Sequence, residues 1–273
     1  MIDLYFKYKD IINAVESHSP FTPELAIILG SGLGDFDARI KVVKEIPTAS
    51  IKGYPASTVE GHKGKIIWGE HENKKILLFS GRIHFYEGYH ISDCILPPYI
   101  ASKSGCRKIL LTNAAGGISE FLKPGDLMLN SSFNGIQIKK ELTFLSGLAN
   151  SEKKNAFLNF PDSELCNLLK KAAEIEKVLL KEGVYWYTKG PTYETLAEVK
   201  FISKFGGDAV GMSTVHEAIF AASMGMKAAS VSCITNYASG ISGQKLSHNE
   251  VTETAQKVKE KFASLVKRFI TLL

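Results

Sequence analysis

Paired cysteines are missing from this chain. Of its four cysteines, Cys94, Cys106, Cys166 and Cys233, none belongs to a C-x-x-C pair, so neither a zinc knuckle nor a redox pair is suggested. The seven histidines show no metal spacing such as H-E-x-x-H, and no metal site is expected. No apolar run is long enough to span a bilayer, and no signal peptide opens the sequence. The lysines are scattered, without the arginine-rich stripe that a nucleic-acid groove needs. These absences predict a cytoplasmic protein with neither a membrane nor a nucleic acid as partner.

What is present is ample apolar matter. Of 273 residues, 45% are hydrophobic and 22% charged, with a net charge of +5; this suits one large α/β domain across residues 1–273. The modest positive balance fits anionic small substrates as well as solvated lysines. Apolar, β-branched runs predict strands at Leu25–Leu29, Ile66–Trp68, Ile76–Phe79, Lys108–Thr112, Leu127–Leu129, Gly183–Tyr187, Ala209–Val210 and Ala229–Thr235. Helical periodicity predicts helices at Leu4–Ser17, Asp93–Ser104, Ser163–Ala173, Thr195–Phe205, Val215–Met224 and Asn249–Leu272. The pattern favours a central mixed sheet with helices on both faces. Three capping boxes, Thr195 with Glu198, Thr214 with Glu217 and Ser247 with Glu250, mark helix starts. They place Tyr193, Glu194, Ser213 and His248 at helix N-termini, where anions and polar ligands are favoured. The stretch Asn130–Asn159 reads either as an irregular active-site or interface loop or as a disordered surface excursion.

Directly after Leu25–Leu29 stands Gly30-Ser31-Gly32-Leu33-Gly34. Glycines let backbone N–H groups approach an oxyanion, and Ser31 adds a side-chain donor. The dinucleotide fingerprint G-x-G-x-x-G fits poorly, since its third glycine position holds Asp35, a charge opposed to pyrophosphate. After Ile76–Phe79, the residues Arg82, His84 and Tyr86 are spaced by two. In an extended segment they share a face, opposite Ile83 and Phe85. A guanidinium fork, an imidazole and a phenol suit an anionic ligand better than a solvated strand face. Asn113-Ala114-Ala115-Gly116-Gly117 reads either as a close backbone approach to a ligand or as a tight turn. Ser213 either donates to an anion or helps to cap a helix. Tyr193 beside Glu194 can stack on a heterocycle and accept its ring N–H, and the Asn236 amide can read a purine edge.

Taken in order, GSGLG, GRIHFYEGY, TNAAGG, GPTYET, AVGMSTVHE and ITNYASGI resemble the purine nucleoside phosphorylases of the trimeric type, from about Leu25 to the last helix. The resemblance implies a homotrimer whose subunit is a mixed sheet forming a distorted barrel, flanked by α-helices. It implies that Ser31, Arg82, His84, Ser213 and the Ala114 backbone N–H bind phosphate, with His62 on a loop over it. It assigns Tyr86, Met212 and His248 to ribose, His248 meeting the 5′-hydroxyl, and Tyr193, Glu194 and Asn236 to the base. His84, Glu194 and Asn236 are the expected catalytic residues. An aromatic that such enzymes lend to a neighbouring subunit's ribose site has Phe157 as its candidate, although Asn130–Asn159 lacks the family's usual residues.

The implied reaction is phosphorolysis of purine nucleosides, preferably 6-oxopurines, to free base and (deoxy)ribose 1-phosphate. Orthophosphate is a co-substrate, and no cofactor is expected. The C1′–N9 bond opens through an oxocarbenium-like state while negative charge builds on the purine. The site must therefore position phosphate below the sugar and stabilise charge beyond it. Methylthioadenosine phosphorylase, which shares the fold, carries aspartate where Asn236 stands and lacks a histidine matching His248. A silent purine sensor would not need the Arg82–His84 pair.

Overall fold

The structure, a computed structural model, describes residues 2–57, 64–145, 155–242 and 248–273. Nine strands run as β1 (Leu25–Leu29), β2 (Lys41–Pro47), β3 (Lys65–His71), β4 (Lys74–Ser80), β5 (Lys108–Gly117), β6 (Leu127–Asn134), β7 (Leu180–Tyr187), β8 (Ala209–Gly211) and β9 (Lys227–Tyr237). The longer helices are α1 (Leu4–His18), α2 (Leu96–Lys103), α3 (Ser163–Glu176), α4 (Leu196–Lys204), α5 (Val215–Ser223) and α6 (His248–Leu272).

Among the described residues, all nine strands share one sheet in the order β2-β3-β4-β1-β5-β8-β7-β6-β9, and β9 pairs back onto β5. That last pairing closes β5, β8, β7, β6 and β9 into a barrel, with β1 to β4 as a wing on β5. This is the expected distorted barrel. β1 reads Leu-Ala-Ile-Ile-Leu without alternation because it lies between parallel β4 and β5 and is buried along its whole length. Its side chains still divide by the period of two. Ala26 and Ile28 join a core with Phe79, Tyr99 and Phe220, while Leu25, Ile27 and Leu29 join another with Leu169, Phe262 and Phe269. The first core holds residues of α1, α2 and α5, the second residues of α3 and α6, so helices cover both faces. No helix among the described residues is long and apolar enough to cross a membrane.

Four expectations change. β2 is a strand the sequence did not announce: it is an edge strand, exposed at all but Ile46, and so lacks an apolar run. The helix expected at Asp93–Ser104 is interrupted at Ile95, between a single turn Ile91–Cys94 and α2. Pro97 and Pro98 have no N–H to donate back, so a helix can only restart there. The stretch Asn130–Asn159 is less irregular than expected, since β6 extends to Asn134, paired with β7. The box of Thr195 with Glu198 forms, but Thr214 makes no cap at α5, for a reason that the site explains. The third box, at Ser247, lies outside the described residues.

Candidate active site

Polar residues gather where the carboxyl ends of the strands meet. Ser31 follows β1, Arg82 follows β4, Ala114 to Gly116 lie late in β5, Glu194 follows β7, Met212 and Ser213 follow β8, and Asn236 lies near the end of β9. Beyond strand carboxyl ends is where open α/β sheets place ligands. One cavity of about 230 Å³ is lined by Ser31, Arg82, His84, Tyr86, Ala114, Tyr193, Glu194, Met212, Ser213 and Asn236. Residues read from six separate sequence motifs thus face one space. His62 lies outside the described residues, as does the side chain of His248. Phe157 is not among the residues lining this cavity; its ring stacks on Phe160 of the same chain, with centroids 5.3 Å apart.

The glycines of Gly30-Ser31-Gly32 are required by packing. A Cβ on Gly30 would lie 2.6 Å from the Asn113 Cα, and Gly32, at φ +75°, would press 2.3 Å onto the Ala255 Cβ of α6. They let β1 pass close to β5 and turn under α6, which leaves Ser31 on the cavity wall. Asp35 does not face that wall as an anion's rival: its carboxylate pairs with Lys259 at 2.6 Å. Asn113 to Gly117 form no tight turn. They continue β5 against β9, and the pairing slips so that Ala115 faces Ile234 while Gly116 faces Asn236. The extra residue, Thr235, makes a bulge that turns Asn236 toward the cavity. There the Asn236 Oδ1 accepts from the Thr235 hydroxyl at 2.8 Å, and Nδ2 donates to the Tyr237 carbonyl at 2.8 Å.

Arg82, His84 and Tyr86 do share the cavity, although not as a strand. Arg82 and His84 follow the end of β4, and Tyr86 sits in a short 3-10 turn, Phe85–Glu87. His84 is fixed by Glu87. One carboxylate oxygen accepts from the His84 backbone N–H at 2.8 Å and meets the ring Nδ1 at 3.0 Å. A carboxylate beside Nδ1 favours the tautomer with the proton on that nitrogen. The ring stacks on Tyr86 with centroids 4.7 Å apart. Burial pushes the Tyr86 phenol up to about 12, so it remains a neutral donor near pH 7.

Arg82 is almost wholly buried. Its Nη1 donates to the Ser213 Oγ at 3.0 Å and to the Thr214 Oγ1 at 3.3 Å. Its Nε lies 3.2 Å from the Glu217 Oε1, in a pair whose side chains are 1% and 0% exposed. Here lies the reason for the missing cap. Glu217 turns inward to neutralise a buried guanidinium, which outweighs the backbone N–H it would have satisfied at the helix start. Burial pushes its carboxyl above the ordinary carboxylate range, against the pull of Arg82. Beside it, His216 is fully buried and held down at about 3, by burial first and then by the charges of Arg82 and His84; it is neutral near pH 7. At the other part of the site, the Thr188 hydroxyl donates to the Glu194 Oε1 at 2.6 Å, while Tyr193, on the cavity wall, is 44% exposed. Sequence reasoning did not single out Glu87, Thr188, Thr214 or Glu217 as site residues. Of these, Thr214 and Glu217 leave a signal, but it is the spacing of a capping box and not of a site.

The chain belongs to the phosphorylase superfamily, whose family pattern matches residues 24–271. Within that superfamily it stands with the purine nucleoside phosphorylases. It is 39% identical over 259 residues to purine nucleoside phosphorylase 1 of Geobacillus stearothermophilus, covering 92% of each chain. It is 37% identical over 264 residues to the protein of the same name from Bacillus subtilis, covering 94% of each. Its fold superposes on isoform 2 of purine nucleoside phosphorylase from Schistosoma mansoni, solved with cytosine and ribose-1-phosphate. There the TM-score is 0.87 at 33% identity, over 98% of this chain and 96% of that one. The chain is therefore an enzyme, a pentosyltransferase of nucleoside metabolism.

Proposed function

We propose that this enzyme cleaves purine nucleosides with orthophosphate, preferring the 6-oxopurines inosine and guanosine, and releases free base and (deoxy)ribose 1-phosphate. The observation that carries the reading is a buried guanidinium, Arg82, in a cavity that Glu194 and Asn236 also line. An anion-binding set and a set able to read a heterocycle thus share one space. On this reading Ser31, Arg82, His84, Ser213 and the Ala114 N–H hold phosphate, with His62 above it. Tyr86, Met212 and His248 hold the ribose, and Tyr193 covers the base.

Glu194 accepts the purine N1–H with the carboxylate that Thr188 steadies. Asn236 gives one Nδ2 proton to Tyr237 and keeps the second for N7 or O6. Both contacts strengthen as negative charge moves onto the leaving purine, which is where catalysis gains. Phosphate is already an anion and needs placement rather than activation, so the reaction uses orthophosphate as co-substrate and no cofactor. We place the enzyme in the cytoplasm as a homotrimer, without a nucleic acid or a membrane as partner. Turnover of inosine with and without phosphate tests the central claim: base release should require phosphate. Equal release in phosphate-free buffer means hydrolysis and overturns it.

A further inference from the structure

Thr214 has an unusual backbone. Four non-glycine residues among those described have positive φ. Glu72 and Asn73 form the turn between β3 and β4, and Lys177 closes α3 in the left-handed region. Turns and helix ends are where such angles are ordinary. Thr214 is different, being β-branched and fully buried at the start of α5, with φ 73° and ψ −48°. The Val215 N–H donates to the Ser213 carbonyl at 2.8 Å across it, which closes a γ-turn of the rare, strained kind. A glycine would take this turn at no steric cost, so the side chain requires an explanation.

Its hydroxyl supplies one. The Thr214 Oγ1 accepts from the Arg82 Nη1 at 3.3 Å and from the Asn113 Nδ2 at 3.0 Å, and it lies 3.1 Å from the Ser213 Oγ. One atom thus ties the guanidinium to β5 and to the serine beside it, while Glu217 holds Nε from the first turn of α5. A guanidinium is planar, so two anchors fix both where it sits and which edge it turns to the cavity. We propose that Thr214 is a positioning residue for phosphate: its strained turn is retained because only there does its hydroxyl lock Arg82 in the orientation that receives the anion.

This rests on the reading of Arg82 as a phosphate ligand, and the experiment separates the two. Steady-state kinetics with phosphate and inosine varied independently are run on Thr214→Val, Thr214→Gly, Thr214→Ser and Arg82→Met. Valine keeps the shape and loses the hydroxyl, glycine relaxes the turn and loses the hydroxyl, and serine keeps the hydroxyl. Valine and glycine should each raise KM for phosphate at least tenfold, about 1.4 kcal/mol, with KM for inosine within twofold of wild type. Serine should stay within threefold for both substrates. If glycine keeps the wild-type KM for phosphate while Arg82→Met raises it, the hydroxyl has no positioning role and the inference falls alone. The same holds if both Michaelis constants rise together, or if serine fails to restore phosphate use. If Arg82→Met itself leaves phosphate use unchanged, the phosphate-site reading falls and takes this inference with it.

Discussion

Replacing Arg82 by methionine strips a buried carboxylate of its counter-ion. With Nε and Oε1 3.2 Å apart and both side chains out of solvent, the attraction is about 5 kcal/mol at an effective dielectric constant of about 20. Desolvation of the two groups offsets much of that. Removing one partner leaves the other uncompensated, which costs about 3–5 kcal/mol. Arg82→Met should fall near the lower bound, because Glu217 is already pushed toward protonation by burial and can take up a proton. Glu217→Gln leaves the guanidinium on the hydroxyls of Ser213 and Thr214. Arg82→Met with Glu217→Gln removes both charges and should be less destabilised than the two single changes summed, by about 2–4 kcal/mol in urea unfolding. Additivity within about 0.5 kcal/mol would refute the pair as an energetic unit. A second arm uses phosphate itself. At a hundred times its Kd, phosphate should stabilise the wild type by about 2.7 kcal/mol and should leave the Arg82 variants unmoved. Their kcat/KM for phosphate should fall by roughly 10- to 150-fold for each charge-assisted hydrogen bond lost, worth about 1.5–3 kcal/mol. Phosphate that stabilises Arg82→Met as it does the wild type shows that Arg82 is not a ligand.

Two further outcomes follow from single residues. His216 is held down at about 3 when folded and returns to about 6.5 in the unfolded chain. The unfolded state therefore binds the extra proton between those values, and stability present above pH 6.5 is lost as pH falls. The loss from pH 7.5 to 5.5 is about 1.4 kcal/mol, and denaturation midpoints at the two pH values should show His216→Phe flatter by that amount; equal slopes refute the buried neutral imidazole. At Asn236, inosine should exceed adenosine in kcat/KM by at least about a hundredfold, and Asn236→Asp should narrow the gap, because a carboxylate accepts from a 6-amino group and repels O6. Comparable wild-type rates on the two nucleosides would end the specificity claim, and an unchanged ratio in the variant would remove Asn236 as its cause.

The parts legible in the sequence share a physical cause. β1 and the first half of β5 could be read because a strand buried on both faces carries a continuous apolar run, as in Leu25–Leu29 and Ile109–Leu111. The site could be read because each strand hands over to its polar residues within a few positions, as Ser31 follows Leu29 and Arg82 follows Ser80. What could not be read depends on contacts distant in the chain. β2 carries its exposure on the surface and only Ile46 inward, so its pairing with β3, not its composition, makes it a strand. Thr214-Val215-His216-Glu217 has the local grammar of a capping box, and no local rule shows that Arg82, 135 positions before Glu217 (217 − 82), will claim the carboxylate. The bulge at Thr235 is equally silent, because it exists only in the register between β9 and β5.

Each charged group of the site thus arrives with a partner from its own chain: Glu87 for His84, Glu217 for Arg82, Thr188 for Glu194. Such partners would cost affinity if they competed with substrate; on the proposed reading they sit on atoms that phosphate and base do not use. Glu87 lies on Nδ1 of His84, Glu217 on Nε of Arg82 at the root of the guanidinium rather than its outer edge, and Thr188 on one oxygen of Glu194. On the proposed reading, the groups that meet phosphate and base are oriented before either binds. Little reorganisation is then left for the moment when the glycosidic bond opens and charge moves onto the purine. A reaction whose nucleophile is already an anion gains most from this arrangement, since its barrier lies in placement and charge stabilisation and not in deprotonation.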